Sequence, residues 1–146
     1  MGKNAIKVLL SLISNREWSL EFSKEALKDL KFYERTGLLE TILAAILEGH
    51  NNPLPKEDGG TGHLLGIDKD TGDGRPALYW KLSSIGIRIV YGLEPPVIEG
   101  EKIVKKKNVL ILVIGNRRNK EVYHDTIRRL KRYRPRLIGS KYFKTK

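Results

Sequence analysis

Four short stretches of the chain have the hydrophobic pattern of β-strands. Residues 18–22 alternate hydrophobic and polar side chains with a period of two, which is typical of a strand with one buried face. Residues 77–82 and 86–91 are separated by only three residues, which predicts a hairpin. Residues 109–114 are apolar at every position, as in a central strand covered on both faces.

Two helices are predicted between the first strand and the other three. Ser23 is placed to cap the first helix, and the Thr36-Gly37 pair ends it. The predicted buried face of this helix consists of Ala26, Leu27, Leu30 and Tyr33. The second helix covers residues 38–48 and ends at Gly49, with an apolar stripe formed by Leu39, Ile42, Leu43, Ile46 and Leu47. Because the connection is short, the two helices are expected to form an antiparallel hairpin.

The rest of the chain is predicted to contain one more helix and four irregular regions. The helix covers residues 121–132. Residues 1–15 form a short amphipathic helix or a partly ordered leader, and residues 50–76 form a long loop or a loop with a short strand in it. Residues 92–108 are an insert between strands, and residues 133–146 are a loose basic tail. These elements predict a single α+β domain over residues 1–146, in the order β-α-α-β-β-β-α, with the helix hairpin packed on a small antiparallel or mixed sheet.

Charge and composition restrict the class of partner. Lysine and arginine number 28 against 17 acidic residues, and the net charge of +11 favours a polyanion such as nucleic acid, an anionic membrane or an acidic protein. The absence of cysteine excludes disulfides, thiolate metal sites and cysteine nucleophiles, and three histidines do not suggest a histidine-rich metal centre. We therefore predict no metal and no other cofactor. No apolar run approaches the ~20 residues of a membrane span and no signal cleavage site is evident, which predicts a cytoplasmic protein without membrane contact.

Two loop motifs have only a superficial likeness to ligand sites. Residues 68–74 have acidic side chains at the spacing of a calcium loop, but that pattern needs glycine at its sixth position and glutamate at its twelfth, where this chain has Asp73 and Tyr79. Residues 59–62 are rich in glycine but are not followed by the lysine and helix of a phosphate-binding loop. Both segments are interpreted as ordinary loops.

Positively charged side chains interrupt or follow the later strands. Lys81 and Arg88 lie within otherwise apolar strands, Arg117 and Arg118 follow the last strand, and Tyr123 lies on the helix after it. Taken singly, each has an ordinary explanation as a solvated sheet face, a charged turn or a packed aromatic. If the three strands are neighbours, however, these side chains share one concave face. Cations that converge with a phenol suit a site that holds and cleaves an RNA phosphodiester.

The combination of these segments resembles the RelE/ParE superfamily of toxins from bacterial and archaeal toxin–antitoxin pairs. The matching segments are residues 18–47, residues 81–91 with the sequence KLSSIGIRIVY, and residues 109–130 with the sequence VLILVIGNRRNKEVYHDTIRRL. The resemblance is to the RelE-like branch, whose members are ribosome-dependent messenger RNA endonucleases. It implies an endoribonuclease with two partners, a cognate antitoxin and the ribosome with its messenger RNA.

Carried over position by position, the RelE-type catalytic residues fall on Lys81, Arg88, Arg117 and Tyr123. A second lysine that some members have two residues before Lys81 is replaced here by Tyr79. The resemblance leaves two alternatives open. One is a ParE-like inhibitor of DNA gyrase, which keeps the fold and lacks these catalytic residues, and the other is an RNA-binding relative without activity.

The chemistry of such a site follows from RNA itself, because the 2′-OH is the nucleophile and no metal is required in principle. Arg88 would clamp the non-bridging phosphate oxygens through its fixed fork of donors, and Arg117 would bind the scissile phosphate. Tyr123 would stack on a base or orient the 2′-OH. Lys81 is the first candidate for the base, and His124 is a weaker one because it points about 100° away from Tyr123 on a helix.

A second group of basic residues is predicted to grip RNA outside the reaction centre. A solubilising surface is an equally good interpretation of the residues near the C-terminus. The predicted RNA-binding residues are Arg118, Lys105, Lys106, Lys107, Arg128, Arg129, Lys131 and Arg132, with Arg134 and Arg136 beside them.

Overall fold

The computed structural model describes residues 17–139, and its first half confirms the predicted helix hairpin. Strand β1 (Ser19–Phe22) leads into helix α1 (Lys24–Arg35), and helix α2 (Leu39–His50) follows after a short turn. The Ser23 hydroxyl accepts a hydrogen bond of 3.0 Å from the amide of Ala26, which is the predicted cap. Within α1 the prediction for Leu27 is wrong, because this side chain is 36% exposed while Ala26 and Leu30 are buried.

The second half contains more strands than the sequence pattern predicts. They are β2 (His63–Leu64), β3 (Ile67–Asp68), β4 (Gly72–Asp73), β5 (Leu78–Leu82), β6 (Ile87–Glu94), β7 (Val97–Glu99), β8 (Lys102–Lys105) and β9 (Asn108–Asn116), followed by helix α3 (Glu121–Tyr133). Five strands form one sheet in the order β1-β9-β6-β5-β2, in which β1 and β9 are parallel and the other pairs antiparallel. The α+β class and the mixed sheet are confirmed. The pairs β3–β4 and β7–β8 form separate two-stranded hairpins.

The sheet is covered on both faces, which explains the continuous apolar run in β9. On one face Val109 and Ile111 pack with the buried side chains of α1 and α2. On the other face Leu110 and Leu112 pack with Leu130 of α3. The helix hairpin and α3 therefore lie on opposite sides of the sheet, and β9 is buried between them as predicted.

The predicted insert at residues 92–108 is shorter in the structure. Strand β6 continues to Glu94 and strand β9 begins at Asn108, and these two residues are directly paired. Both are buried, and the Asn108 side-chain amide donates a 2.5 Å hydrogen bond to the Glu94 carboxylate. Since a hydropathy pattern assigns such polar residues to a loop, the prediction misplaced both strand ends. The true excursion is the hairpin of β7 and β8.

The described part of the predicted loose tail is packed against the sheet. Residues 134–136 form a single helical turn. The Arg136 guanidinium donates to Glu94 at 2.6 Å, and the Ile138 amide donates to the carbonyl of Leu93 at 2.6 Å. Residues 140–146 and the predicted leader at 1–15 lie outside the described residues. Across residues 17–139, the helices are too short or too polar to cross a membrane.

The long segment between α2 and β5 holds the three shortest strands. Strand β2 extends the sheet by pairing His63 with Tyr79 and Leu64 with Leu78. The β3–β4 hairpin lies against α3. A β-carbon added at Gly72 would lie 3.8 Å from the Ile127 side chain. This arrangement places loop residues beside the sheet face that carries the predicted site.

Candidate nucleic-acid interface

Lys81 and Arg88 lie directly opposite each other on neighbouring strands. Arg88 of β6 is paired with Lys81 of β5 on one side and with Gly115 of β9 on the other. Because cross-strand partners project from the same face of a sheet, both cations lie on the face covered by α3. A side chain at Gly115 would be 3.5 Å from Val122 of α3, so a glycine here lets the start of α3 lie close to the sheet.

The Arg88 guanidinium lies beside two tyrosine rings. Its central carbon is 4.7 Å from the centre of the Tyr79 ring and 5.6 Å from the centre of the Tyr123 ring. Both distances are within the range of cation–π attraction, which holds the guanidinium in place without using its hydrogen-bond donors. The structure therefore brings Arg88 and Tyr123 together as the sequence predicts. We call Tyr79, Lys81, Arg88 and Tyr123 the sheet-face cluster.

Tyr79 is a member of the cluster that sequence reasoning missed, since it was noted only as a replaced lysine. A second missed residue is His63, whose ring stacks on Tyr79 with ring centres 5.2 Å apart. Burial, together with the nearby charges of Lys81, Lys56 and Arg88, lowers the pKa of His63 below its ordinary value. The lowered pKa favours the neutral ring, which is the form able to accept a proton.

Arg117 and Arg118 lie at the end of the sheet, just beyond the cluster. The Arg117 amide donates a 3.0 Å hydrogen bond to the carbonyl of Gly86, which fixes the start of the turn after β9. Both arginines are exposed and line a shallow surface pocket that also contains Ile85 and Asn116. Their position suits contact with a phosphate chain that runs past Arg88.

Arg129 does not belong to the predicted RNA-binding surface. Its side chain is 11% exposed, and its guanidinium donates to both carboxylate oxygens of Asp29, at 2.7 and 3.2 Å. It also donates to the carbonyl of Leu112 at 2.7 Å. Arg129 therefore joins α3 to α1 and to β9, and the interpretation as an RNA contact is wrong.

The other predicted RNA-binding cations of α3 are exposed. Arg128 forms an ion pair with Asp125 and Arg132 forms one with Glu25. Lys131 lies between them in sequence on the same helix and is also exposed. Surface ion pairs of this kind are weak, so these side chains stay accessible to a polyanion.

Lys105, Lys106 and Lys107 lie at the opposite end of β9 from Arg117. A strand of nine residues spans about 30 Å, so these lysines do not share one small site with the sheet-face cluster. Lys107 is ion-paired with Glu17 and lies over the Trp18 ring. A contact of these lysines with RNA would need a ligand that extends along the protein.

None of the side chains in residues 17–139 forms a cluster of three or more histidine or carboxylate groups that could share a metal ion. In residues 68–74, which have the acidic spacing of a calcium loop, the Asp68 carboxylate is bound by groups of the protein. Asp68 accepts hydrogen bonds from the amides of Asp70 and Thr71 and from the Lys120 ammonium group.

No family model matches this chain, and no curated protein does. A solved structure that resembles it is that of the free state of E. coli toxin RelE in a mutant with two arginines replaced by alanine. That protein is 21% identical, the match covers 79% of this chain and 99% of that one, and the TM-score is 0.42.

Proposed function

We propose that this protein is the toxin of a toxin–antitoxin pair and that it inhibits translation by cutting messenger RNA on the ribosome. The observation that carries the proposal is the position of the Arg88 guanidinium, which lies beside the rings of Tyr79 and Tyr123. A guanidinium binds two phosphate oxygens through parallel donors, and tyrosine rings stack on unpaired bases. A cationic fork flanked by two phenols therefore suits single-stranded RNA.

In the proposed reaction the 2′-oxygen of one nucleotide attacks the adjacent phosphorus. The bond from the 2′-oxygen to phosphorus forms, the bond to the 5′-oxygen breaks, and the leaving 5′-oxygen takes a proton from water. The products end in a 2′,3′-cyclic phosphate and a 5′-hydroxyl. Arg88 stabilises the charge that builds on the phosphate oxygens, which contributes about 3–4 kcal/mol by analogy with an oxyanion hole. Arg117 binds the same phosphate from the end of the sheet. No metal ion takes part in this scheme.

The proton of the 2′-OH goes to a base on the same sheet face. The sequence resemblance gives this role to Lys81, and His63 is the second candidate because its lowered pKa favours the neutral ring. The two assignments differ in their pH profiles. With His63 as the base, His63→Gln removes the acidic limb of the rate profile, whereas with a different base this variant keeps the wild-type profile.

The partners in this proposal are a cognate antitoxin and the ribosome with its messenger RNA, and the site of action is the cytoplasm. The net charge of +11 gives a long-range attraction to ribosomal RNA, and the exposed Arg128, Lys131 and Arg132 would contribute to it. This attraction does not depend on RNA sequence, so it would bring the protein to the ribosome. The sheet-face cluster would then cleave the messenger RNA.

Growth arrest after controlled expression tests the proposal. Arg88→Ala should relieve the arrest at the same protein level, whereas Arg35→Ala should not. The control removes the same charge from an exposed position on the last turn of α1. Full arrest by the Arg88→Ala protein would contradict the catalytic role of the cluster. Inhibited gyrase supercoiling with intact messenger RNA would indicate the ParE-like function instead.

A further inference from the structure

A cavity of about 130 Å³ opens beside the sheet-face cluster. Its walls are mixed: Leu65, Ile67 and Ile127 contribute apolar side chains, Asp68 and Thr71 contribute polar ones, and Gly72 leaves room on one side. Tyr79 and Tyr123 also line it, and these are the same two rings that lie against Arg88. The two tyrosine rings therefore contact both the cavity and the Arg88 guanidinium.

The wall formed by β3 and β4 is held in place by several bonds. The Gly74 amide donates to the carbonyl of Gly66 at 2.8 Å. The Lys120 ammonium group, at the start of α3, donates to Asp68 at 3.3 Å and to Asp70 at 2.7 Å. The hairpin is thus tied to the helix on the far side of the cavity, so the space between them is preformed.

The size of the cavity and its neighbours indicate the kind of ligand. The cavity has room for about one flat ring and none for a folded peptide, and its apolar side chains together with the polar side chains of Asp68 and Thr71 suit a group that has flat faces and polar edges. An anion bound on Arg88 would lie beside the Tyr79 and Tyr123 rings, which also line the cavity. A flat ring connected to an anion by a short link is the chemistry of a nucleotide.

We propose that this cavity receives one unstacked base of the RNA substrate while Arg88 holds the neighbouring phosphate. The inference rests on the proposed function of the cluster as an RNA site and adds a binding position for the base. Turning a base out of the strand into this cavity bends the backbone at that nucleotide. The bend gives the cavity a second effect, which is to expose the 2′-oxygen next to Arg88.

Binding of a short, uncleavable RNA tests the proposal. The probe is a fluorescent hexamer of 2′-O-methyl RNA, together with six versions that each lack one base. We expect one abasic position to raise the Kd about tenfold, because stacking of a single base on aromatic side chains has that effect, and the other positions to change it much less. Equal Kd values for all six abasic probes would overturn the proposal.

A filled cavity provides the second arm of the test. Ile127→Trp places a ring in the cavity, so the complete hexamer should bind about as weakly as the abasic probe and the difference between the two should vanish. Ile98→Trp is the matched control, since Ile98 is exposed on β7 outside the cavity. Circular dichroism establishes that each variant is folded, and Leu65→Phe is a second filling variant.

Arg88→Ala separates the failure of this inference from the failure of the proposed function. If Arg88→Ala weakens binding while no abasic position and no filling variant does, the RNA site stands and the base cavity is refuted. If neither Arg88→Ala nor any abasic position changes the Kd, both proposals fail.

Discussion

Replacing Arg129 should destabilise the protein strongly, although this residue looks in sequence like one more member of a basic helix. Its guanidinium makes two bonds to Asp29 and one to the carbonyl of Leu112. The neighbouring Arg128 makes one bond to Asp125 and is 66% exposed. Changing each arginine to methionine removes the same charge and keeps a similar length of apolar side chain.

The expected loss of stability depends on which charged group each substitution leaves without its partner. Breaking a fully buried ion pair by removal of one partner costs about 3–5 kcal/mol. Asp29 is 19% exposed and keeps a 3.0 Å hydrogen bond from the Ile114 amide, so we expect about 2–3 kcal/mol for Arg129→Met. For a chain of this length that corresponds to a fall in Tm of roughly 6–12 °C. Arg128→Met should cost less than about 0.5 kcal/mol.

Urea denaturation followed by circular dichroism measures both variants. The double variant Asp29→Asn with Arg129→Met should be more stable than Arg129→Met alone, because no unpaired buried charge remains. A difference of less than about 0.5 kcal/mol between Arg129→Met and Arg128→Met would refute the reasoning. Arg129 would then be a surface residue, as its sequence neighbourhood suggests.

Two further predictions concern packing and protonation. Gly49→Ala should destabilise the protein by about 1–3 kcal/mol in the same urea assay, because the added carbon would lie 2.3 Å from the Trp80 ring. Alanine usually stabilises a helix relative to glycine, so a gain in stability would contradict the structure. An NMR pH series should show His63 titrating below its ordinary pKa. Because the unfolded chain then binds the proton more tightly, the free energy of unfolding should fall as the pH drops below about 6.5 and towards that lower pKa. This fall should be absent in His63→Gln. A His63 pKa at or above the ordinary value would remove the basis for a neutral ring at the site.

The local pattern of the sequence was enough to predict the main elements. The apolar run in β9 indicated a strand with two covered faces, and Ser23 indicated the start of α1. The hairpin of β5 and β6 then fixed Lys81 opposite Arg88, because a short turn determines the register. These features depend on residues that are close together in the chain.

The features that were missed depend on contacts between distant residues. Strand β2 has two residues and forms only because it pairs with β5, so no pattern placed His63 beside Tyr79. The ion pair of Arg129 joins residues that are 100 positions apart, and a run of cations does not distinguish its buried member. The cavity lined by Tyr79 and Tyr123 likewise forms where the β3–β4 hairpin meets α3.

The most direct test of the central claim is primer extension on a defined messenger RNA, with and without programmed ribosomes. The wild-type protein should produce ribosome-dependent breaks, Arg35→Ala should produce the same breaks, and Arg88→Ala should produce none. Intact messenger RNA in the presence of folded wild-type protein and programmed ribosomes would contradict the account.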